Sequence, residues 1–154
     1  NQGTQREGYI FYAHLNFRIS TFVLLLFTLG LHHAKLYNNV YFGIEFDIYM
    51  HLVGGFTIAL LFYQWFMNTS LKKQKFFAAV LALLATAGLG SMLEVVEFFG
   101  YSNLPPGEGI LHFGTGDTFR GDVAGWADAA IDMLMNVIGS SVAALLAWLW
   151  WRKR

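Results

Sequence analysis

Four apolar stretches, each about 20 residues long, constrain this chain more than any other feature of its sequence. They are predicted to run over residues 17–36, 46–66, 76–99 and 126–151. A helix of about 20 apolar residues is long enough to cross the hydrocarbon layer of a membrane. Inside that layer, only helices and closed barrels satisfy their own backbone polar groups. The sequence therefore predicts an all-α integral membrane bundle of four transmembrane helices with up-and-down topology.

The composition agrees with a membrane protein and excludes several other classes. Hydrophobic residues make up 56% of the chain and charged residues 13%, whereas soluble domains average about 25% charged residues. Ten basic and ten acidic residues give a formal net charge of zero, so nucleic acid is not an expected partner. The chain has no cysteine, which excludes disulfides, thiolate metal ligands and a cysteine nucleophile.

The apolar stretches also define the organisation of the chain. Residues 1–16 are mixed in character and are interpreted as an interfacial N-terminal segment. Residues 17–151 are predicted to form a single four-helix transmembrane domain, with a long loop over residues 100–125 between the third and fourth spans. We expect membrane lipids to surround this domain.

The basic residues predict the orientation of the bundle. Four spans place both termini and the segment 72–75 on one side of the membrane. Eight of the ten basic residues lie on that side: Arg6, Arg18, Lys72, Lys73, Lys75, Arg152, Lys153 and Arg154. Because cytoplasmic connections are enriched in lysine and arginine, both termini are predicted to be cytoplasmic.

The fourth span carries polar residues where a purely lipid-facing helix would have none. Asp128, Asp132 and Asn136 recur every four residues, which places them on one face of a helix. An ionisable residue within a membrane span is costly, and it usually faces protein or a water-filled cavity and serves a function. This face is therefore predicted to point into the bundle.

Up-and-down topology brings further polar residues to the same end of the bundle. The first span ends at His32 and His33. The other polar residues at this end are Asp47 and His51 on the second span, Glu94 and Glu97 on the third, and Asp128 and Asp132 on the fourth. Within each of these pairs on the last three spans the spacing is three or four residues, which is again one helical face. We predict a polar pocket that opens to the non-cytoplasmic side.

Four interpretations of this pocket remain open. Carboxylates and histidine at this spacing on bundle helices can form a metal site, with Zn, Mn or Fe favoured if histidine is a ligand and Mg or Ca if it is not. The predicted ligands are Asp47, His51, Glu94, Glu97, Asp128 and Asp132. The alternatives are metal-free acid–base catalysis, proton or cation translocation, and polar contacts that only hold the helices together.

Individual residues also have simpler interpretations. Asp47 could cap the N-terminus of its helix, Asp132 could pair with His51, and Asn136 could form a hydrogen bond between helices. Arg120, in the glycine-rich loop, is predicted to contact a phosphate or carboxylate, with an exposed Arg–Asp pair as the alternative. The small residues within the spans are interpreted as positions of close helix approach. They are Gly54, Gly55, Gly88, Gly90, Ser91, Gly139, Ser140 and Ser141.

The polar pattern resembles a known family. The resemblance rests on Asp47 and His51 (D-x3-H), on Glu94 and Glu97, and on the D-x3-D-x3-N-x2-G pattern of Asp128, Asp132, Asn136 and Gly139. It is similar to the YjdF-like family of small bacterial inner-membrane proteins. VanZ-like proteins are more distantly similar, although Glu97 stands where they carry glutamine. The resemblance implies a multispan helical fold with a shared polar core in the bacterial inner membrane, and it implies no particular reaction.

Two functions of different classes follow. The leading hypothesis is a pocket that binds a divalent cation and recognises or processes a polar head group at the outer leaflet, with Arg120 as an anion contact. The alternative is a non-catalytic accessory or structural subunit of a larger membrane protein complex. The sequence contains no recognised catalytic motif, so it leaves open whether the protein is an enzyme.

Overall fold

The computed structural model describes residues 2–34, 36, 39–103 and 123–152. Its helices are α1 (Gln2–His33), α2 (Phe46–Met67), α3 (Lys75–Asn103) and α4 (Val123–Arg152). Within the described residues, four helical segments are long and apolar enough to cross a membrane: Leu15–His33, Phe46–Met67, Lys75–Phe99 and Ala127–Arg152. The predicted all-α fold with four membrane-spanning helices is thus confirmed, whereas its orientation in the membrane stays a prediction.

Helices α2, α3 and α4 form the tightly packed part of the bundle, because small residues line their contacts. Tyr63 is the largest fully buried side chain. The other core residues are mostly alanines, namely Ala59, Ala78, Ala79, Ala82, Ala143, Ala144 and Ala147. Small side chains let helix backbones approach closely in a membrane, where van der Waals packing and interhelical hydrogen bonds drive association.

Helix α1 lies at the periphery and is held to α2 by polar contacts. Arg18 donates a hydrogen bond of 2.6 Å to Asn68, and Gln64 donates to the hydroxyl of Thr21. Near the other end of the helix pair, the hydroxyls of Thr28 and Thr57 are 3.2 Å apart. The three contacts are spaced along one seam of the antiparallel pair, so they fix the register of α1 on α2.

Thr28→Val and Thr57→Val are expected to show a coupling of about 0.6 kcal/mol in a double-mutant cycle, the typical size for an interhelical hydrogen bond in a membrane. The measurement is the unfolding midpoint in SDS, followed by circular dichroism. Thr86 provides the control, because its hydroxyl donates to Ala82 on its own helix. A double-mutant cycle of Thr28 and Thr86 should show no coupling. Equal coupling in both cycles would contradict a direct hydrogen bond between Thr28 and Thr57.

A short β-hairpin connects α1 to α2. Its strands β1 (Val40–Tyr41) and β2 (Ile44–Glu45) are antiparallel, and the two turn residues Phe42 and Gly43 have positive φ values of 56° and 79°. A two-residue turn of this kind favours Asn-Gly or Asp-Gly. With phenylalanine at its first position the turn lacks that signal, and the sequence analysis did not predict a hairpin here.

The two ends of the bundle differ in chemistry. One end, called the basic end below, carries the described basic side chains Arg18, Lys72, Lys73, Lys75 and Arg152. There Lys75 donates a 2.8 Å hydrogen bond to the carbonyl of Trp151, which satisfies a backbone acceptor at the end of α4. The opposite end, called the hairpin end, carries the acidic side chains and the β-hairpin.

Candidate functional site

His51 lies at the centre of a polar cluster near the hairpin end. Its Nε2 atom is 3.3 Å from Asp47 Oδ1 and 3.8 Å from Asp132 Oδ2. Its Nδ1 atom is 3.1 Å from Glu94 Oε1. Helices α2, α3 and α4 therefore each supply a carboxylate to the same imidazole, as the shared helical faces predicted.

This cluster is buried, and one of its oxygens lacks a protein partner. Asp47, Glu94 and Asp132 are all buried, with Asp132 only 3% exposed. Among the described residues, no group forms a hydrogen bond with Asp132 Oδ1. A buried carboxylate oxygen without a partner is unfavourable, so Asp132 Oδ1 is available to a partner beyond the described residues.

Three side chains of the cluster have the spacing of metal ligands. Asp47, His51 and Asp132 each offer one ligand atom, and these atoms lie within 4.8 Å of one another. Ligand atoms about 2.1 Å from a tetrahedral ion are about 3.4 Å apart, close to the 3.3 Å and 3.8 Å separations from Nε2. These two separations therefore fit a shared metal ion.

Glu94 lies on the opposite side of the imidazole from the other two acids. A proton on His51 Nδ1 can be donated to Glu94 Oε1 at 3.1 Å, which leaves the Nε2 lone pair directed at Asp47 and Asp132. Metal-binding histidines usually donate their second ring N–H to a carboxylate or carbonyl in this way. Glu94 is therefore better placed to orient His51 than to join the three-ligand group.

Asn136 connects the cluster to the packing of the helices. Its amide nitrogen lies 3.1 Å from His51 Nδ1 and donates to that atom in the tautomer that carries the proton on Nε2, whereas the tautomer with the proton on Nδ1 donates to Glu94 instead. In the first tautomer, Asn136 forms the interhelical hydrogen bond that the sequence predicted. A Cβ atom on Gly55 would lie 2.6 Å from the Asn136 carbonyl oxygen, and one on Gly90 would lie 2.9 Å from its amide nitrogen. Asn136 thus occupies space that two glycines, on α2 and α3, leave free.

Gly139 completes this arrangement one turn further along α4. A Cβ atom there would overlap the backbone carbonyl of Leu52 on α2. The interpretation of span glycines as sites of close approach is therefore confirmed at Gly55, Gly90 and Gly139. It is wrong for Gly54 and Gly88, where an added Cβ would meet nothing within 4 Å.

The remaining predicted site residues lie further from His51 or outside the described part of the chain. Asp128 is half-buried one turn before Asp132, and it interacts electrostatically with Asp47 and Glu97. Glu97 lines the adjoining cavity. Arg120 lies outside the described residues. The assignment of Asp47, His51, Glu94, Glu97, Asp128 and Asp132 as metal ligands stays a prediction.

The suggestion that Asp47 caps α2 is wrong. Glu45 occupies the N-cap position, and no side chain there bonds to the free backbone N–H groups. Asp47 lies within the first turn of α2, where its negative charge suits the helix dipole. Its carboxylate faces His51, one turn later.

A cavity of about 350 Å³ adjoins the cluster. Its polar end is formed by His32, Asp47, His51, Glu94, Glu97 and Asn136. Its remaining wall consists of Leu25, Thr28, Leu29, Met50, Gly54, Gly55, Thr57, Ile58, Thr86, Leu89, Gly90 and Leu93. The sequence analysis predicted the polar end but not the apolar part, because apolar residues that line a cavity have the same spacing as residues that face lipid.

Comparison with known proteins identifies the family to which the chain belongs. The sequence model of the family described as "Predicted membrane protein (DUF2238)" matches residues 5–153, and the chain therefore belongs to that family. This membership is consistent with the YjdF-like resemblance, and it lends no support to the VanZ-like one. Neither a curated protein nor a solved structure matches the chain significantly.

Proposed function

We propose that this member of the DUF2238 family binds a divalent cation at Asp47, His51 and Asp132, and that the bound cation recognises the polar, anionic head group of a membrane lipid. One observation supports the proposal above all others. The three ligand atoms lie within 4.8 Å of one another, and the second carboxylate oxygen of buried Asp132 has no hydrogen-bond partner among the described residues.

The balance of charge in the cluster favours a cation. The buried carboxylates of Asp47, Glu94 and Asp132 surround a single imidazole, and Glu97 and Asp128 lie nearby. Even a fully protonated His51 would neutralise only one of these negative charges. Since unpaired charges are strongly unfavourable away from water, a divalent ion is a direct way to neutralise two more.

The proposed ligands suggest both the class of metal and its action. One imidazole nitrogen with two carboxylate oxygens suits Zn, Mn or Fe better than Ca. Three protein ligands also leave a coordination position open, as in catalytic zinc sites. A phosphate oxygen of a head group could occupy that position, and a metal-bound water there could hydrolyse an ester. The proposed role of the cation is recognition of the head group, and hydrolysis would be a further step at the same position.

The proposal is tested by measuring the affinity of the purified, chelator-treated protein for Zn²⁺ and Mn²⁺ by competition with a chromophoric chelator. Asp132→Asn is expected to lower the affinity about 100-fold or more, at least as much as the loss of an outer-shell partner. Asp128→Asn is the matched control, because it is the same change one turn earlier on α4. It should lower the affinity less than about tenfold.

Two results would count against a metal centre. One is metal-free wild-type protein that takes up neither ion at micromolar concentration. The other is equal loss of affinity in the Asp128 and Asp132 variants, which would indicate a general effect of negative charge. Stoichiometric co-purification with other membrane proteins, together with no metal uptake, would instead favour the accessory-subunit hypothesis.

The bacterial inner membrane remains the proposed location, with the hairpin end outside. The four apolar spans support an integral membrane protein, and the distribution of lysine and arginine supports the orientation. With that orientation, the metal centre lies at the depth of the outer leaflet's head groups and upper hydrocarbon. A polar centre at that depth is accessible to a lipid head group without removing the lipid from the membrane.

A further inference from the structure

We infer that the apolar part of the cavity holds a hydrocarbon chain of the same lipid, which enters sideways from the bilayer between α1 and α3. The inference rests on the proposed function for the head group, and it specifies the ligand as a membrane amphiphile instead of a soluble anion. Three features of the cavity support it: its direction, its opening and the state of its polar groups.

The cavity runs from the polar cluster toward the centre of the membrane. On α2, its lining extends from Asp47 to Ile58, a distance of about 16 Å at 1.5 Å per residue. On α3, it extends from Glu97 to Thr86, about 16 Å along the helix. The ionisable side chains lie at one end only, so the cavity has the same charge profile as a lipid placed with its head group at the cluster.

The opening of the cavity faces the bilayer. Leu29 on α1 and Leu89 and Leu93 on α3 line the cavity, and the same three residues are about half exposed on the surface of the bundle. Side chains that border both the cavity and the lipid mark the edges of an entrance. Because α1 packs mainly on α2, no close α1–α3 packing blocks this path among the described residues.

The polar groups in the apolar part do not require water. The hydroxyl of Thr86 donates a hydrogen bond to a carbonyl on its own helix. Those of Thr28 and Thr57 lie 2.8–2.9 Å from carbonyls on their own helices and 3.2 Å from each other, so one can donate to its own carbonyl while the other donates across the pair. A buried water needs two to four polar partners, and apolar cavities without them stay dry and take up apolar ligands. In contact with lipid, a cavity of this kind is expected to fill with hydrocarbon.

The test uses Gly54→Leu, which places a side chain in the cavity without changing the polar cluster. Gly54 lines the cavity, and an added Cβ there meets nothing within 4 Å. Gly88→Leu is the matched control, because Gly88 also has open space but is exposed and is not part of the cavity wall. Each protein is placed in lipid nanodiscs with a single-chain phospholipid that carries a photoreactive diazirine near the middle of its chain.

In the wild-type protein and the Gly88 variant, the label is expected on cavity residues such as Ile58 and Thr86. Gly54→Leu should reduce this labelling about tenfold while leaving labelling of lipid-facing residues such as Leu84 unchanged. Equal labelling of the cavity in all three proteins would overturn the inference, and so would labelling confined to lipid-facing residues.

Metal affinity measured on the same samples separates this inference from the proposed function. If Gly54→Leu loses chain labelling and keeps wild-type metal affinity, the chain site is supported independently of the metal. If the protein binds metal but its cavity is never labelled, the chain site is wrong and the metal centre stands. If the cavity is labelled and no metal binds, the metal centre is wrong and the chain site stands.

Discussion

Replacing Gly139 with alanine is expected to destabilise the bundle by about 3 kcal/mol, at the upper end of the usual cost of overpacking. The new Cβ would overlap the carbonyl oxygen of Leu52 and would lie 3.0 Å from the backbone nitrogen of Phe56. Both neighbours are backbone atoms of α2, so no side chain can rotate away to make room. Helix α4 must therefore move away from α2, and this movement would also separate Asp132 from His51.

The measurement is the unfolding midpoint of each variant in SDS, followed by circular dichroism, together with its metal affinity. Gly88→Ala is the control, because it makes the same change at an exposed position with open space around it. It should be neutral or stabilising by up to about 1 kcal/mol, since alanine favours helix more than glycine does. A Gly139 variant as stable as the Gly88 variant would show that α2 and α4 do not pack this closely.

The sequence was sufficient to predict the helical bundle and the end at which its polar centre lies. Length and hydropathy define the spans, and alternating direction then brings the polar ends of α2, α3 and α4 together. Helical periodicity also indicated that Asp47 and His51 share a face, as do Asp128, Asp132 and Asn136. These inferences need only the rise and repeat of a helix, which do not depend on tertiary structure.

The sequence could not assign the individual contacts of His51. Which carboxylate faces Nε2 and which faces Nδ1 depends on how far apart the helices are and how each is rotated about its axis. Those quantities are set by close approaches at Gly55, Gly90 and Gly139. Asp128 and Asp132 have the same helical phase, yet only Asp132 lies deep enough to contact His51.

The cavity and the hairpin were missed for different physical reasons. Leu29, Leu89 and Leu93 are apolar residues on membrane helices, and their sequence pattern is the same whether they border lipid alone or also a cavity. The hairpin turn places Phe42 at a positive φ of 56°, which is unfavourable for a large side chain. Local preference therefore argued against the turn, and tertiary contacts at the start of α2 outweighed it.

The positions of the glycines imply that packing and site chemistry depend on each other. The side-chain amide of Asn136 lies 3.1 Å from the imidazole of His51, and Asn136 also packs against Gly55 and Gly90. Enlarging Gly90 would therefore displace the Asn136 side chain that touches the polar centre, and enlarging Gly55 would displace the backbone that carries this side chain. Conversely, the carboxylates around His51 come from three helices, so changes in their charge should be measurable as changes in the stability of the bundle.

His51→Gln is the second substitution with a large expected effect. It separates the role of the cluster in metal binding from its role in the stability of the bundle. It removes the imidazole ligand and leaves buried Asp47, Glu94 and Asp132 without the imidazole that they share, which can carry a positive charge in the metal-free protein. We expect loss of high-affinity metal binding. In the presence of chelator, we also expect destabilisation by about 3 kcal/mol, the usual cost of leaving one member of a buried charged pair uncompensated. The measurements are metal competition and the SDS unfolding midpoint with and without chelator.

Adding Glu94→Gln to His51→Gln should recover part of the lost stability, because it removes one of the uncompensated carboxylates. It should not recover metal binding, since the imidazole nitrogen is still missing. His33→Gln is the control, because His33 is exposed at the end of α1 and its replacement should change neither quantity. If the double variant is no more stable than His51→Gln alone, the cost arises from lost packing around the imidazole instead of from charge. If, in contrast, stability returns without metal, the carboxylates repel one another in the metal-free protein, and a bound cation has a direct thermodynamic reason to occupy the centre.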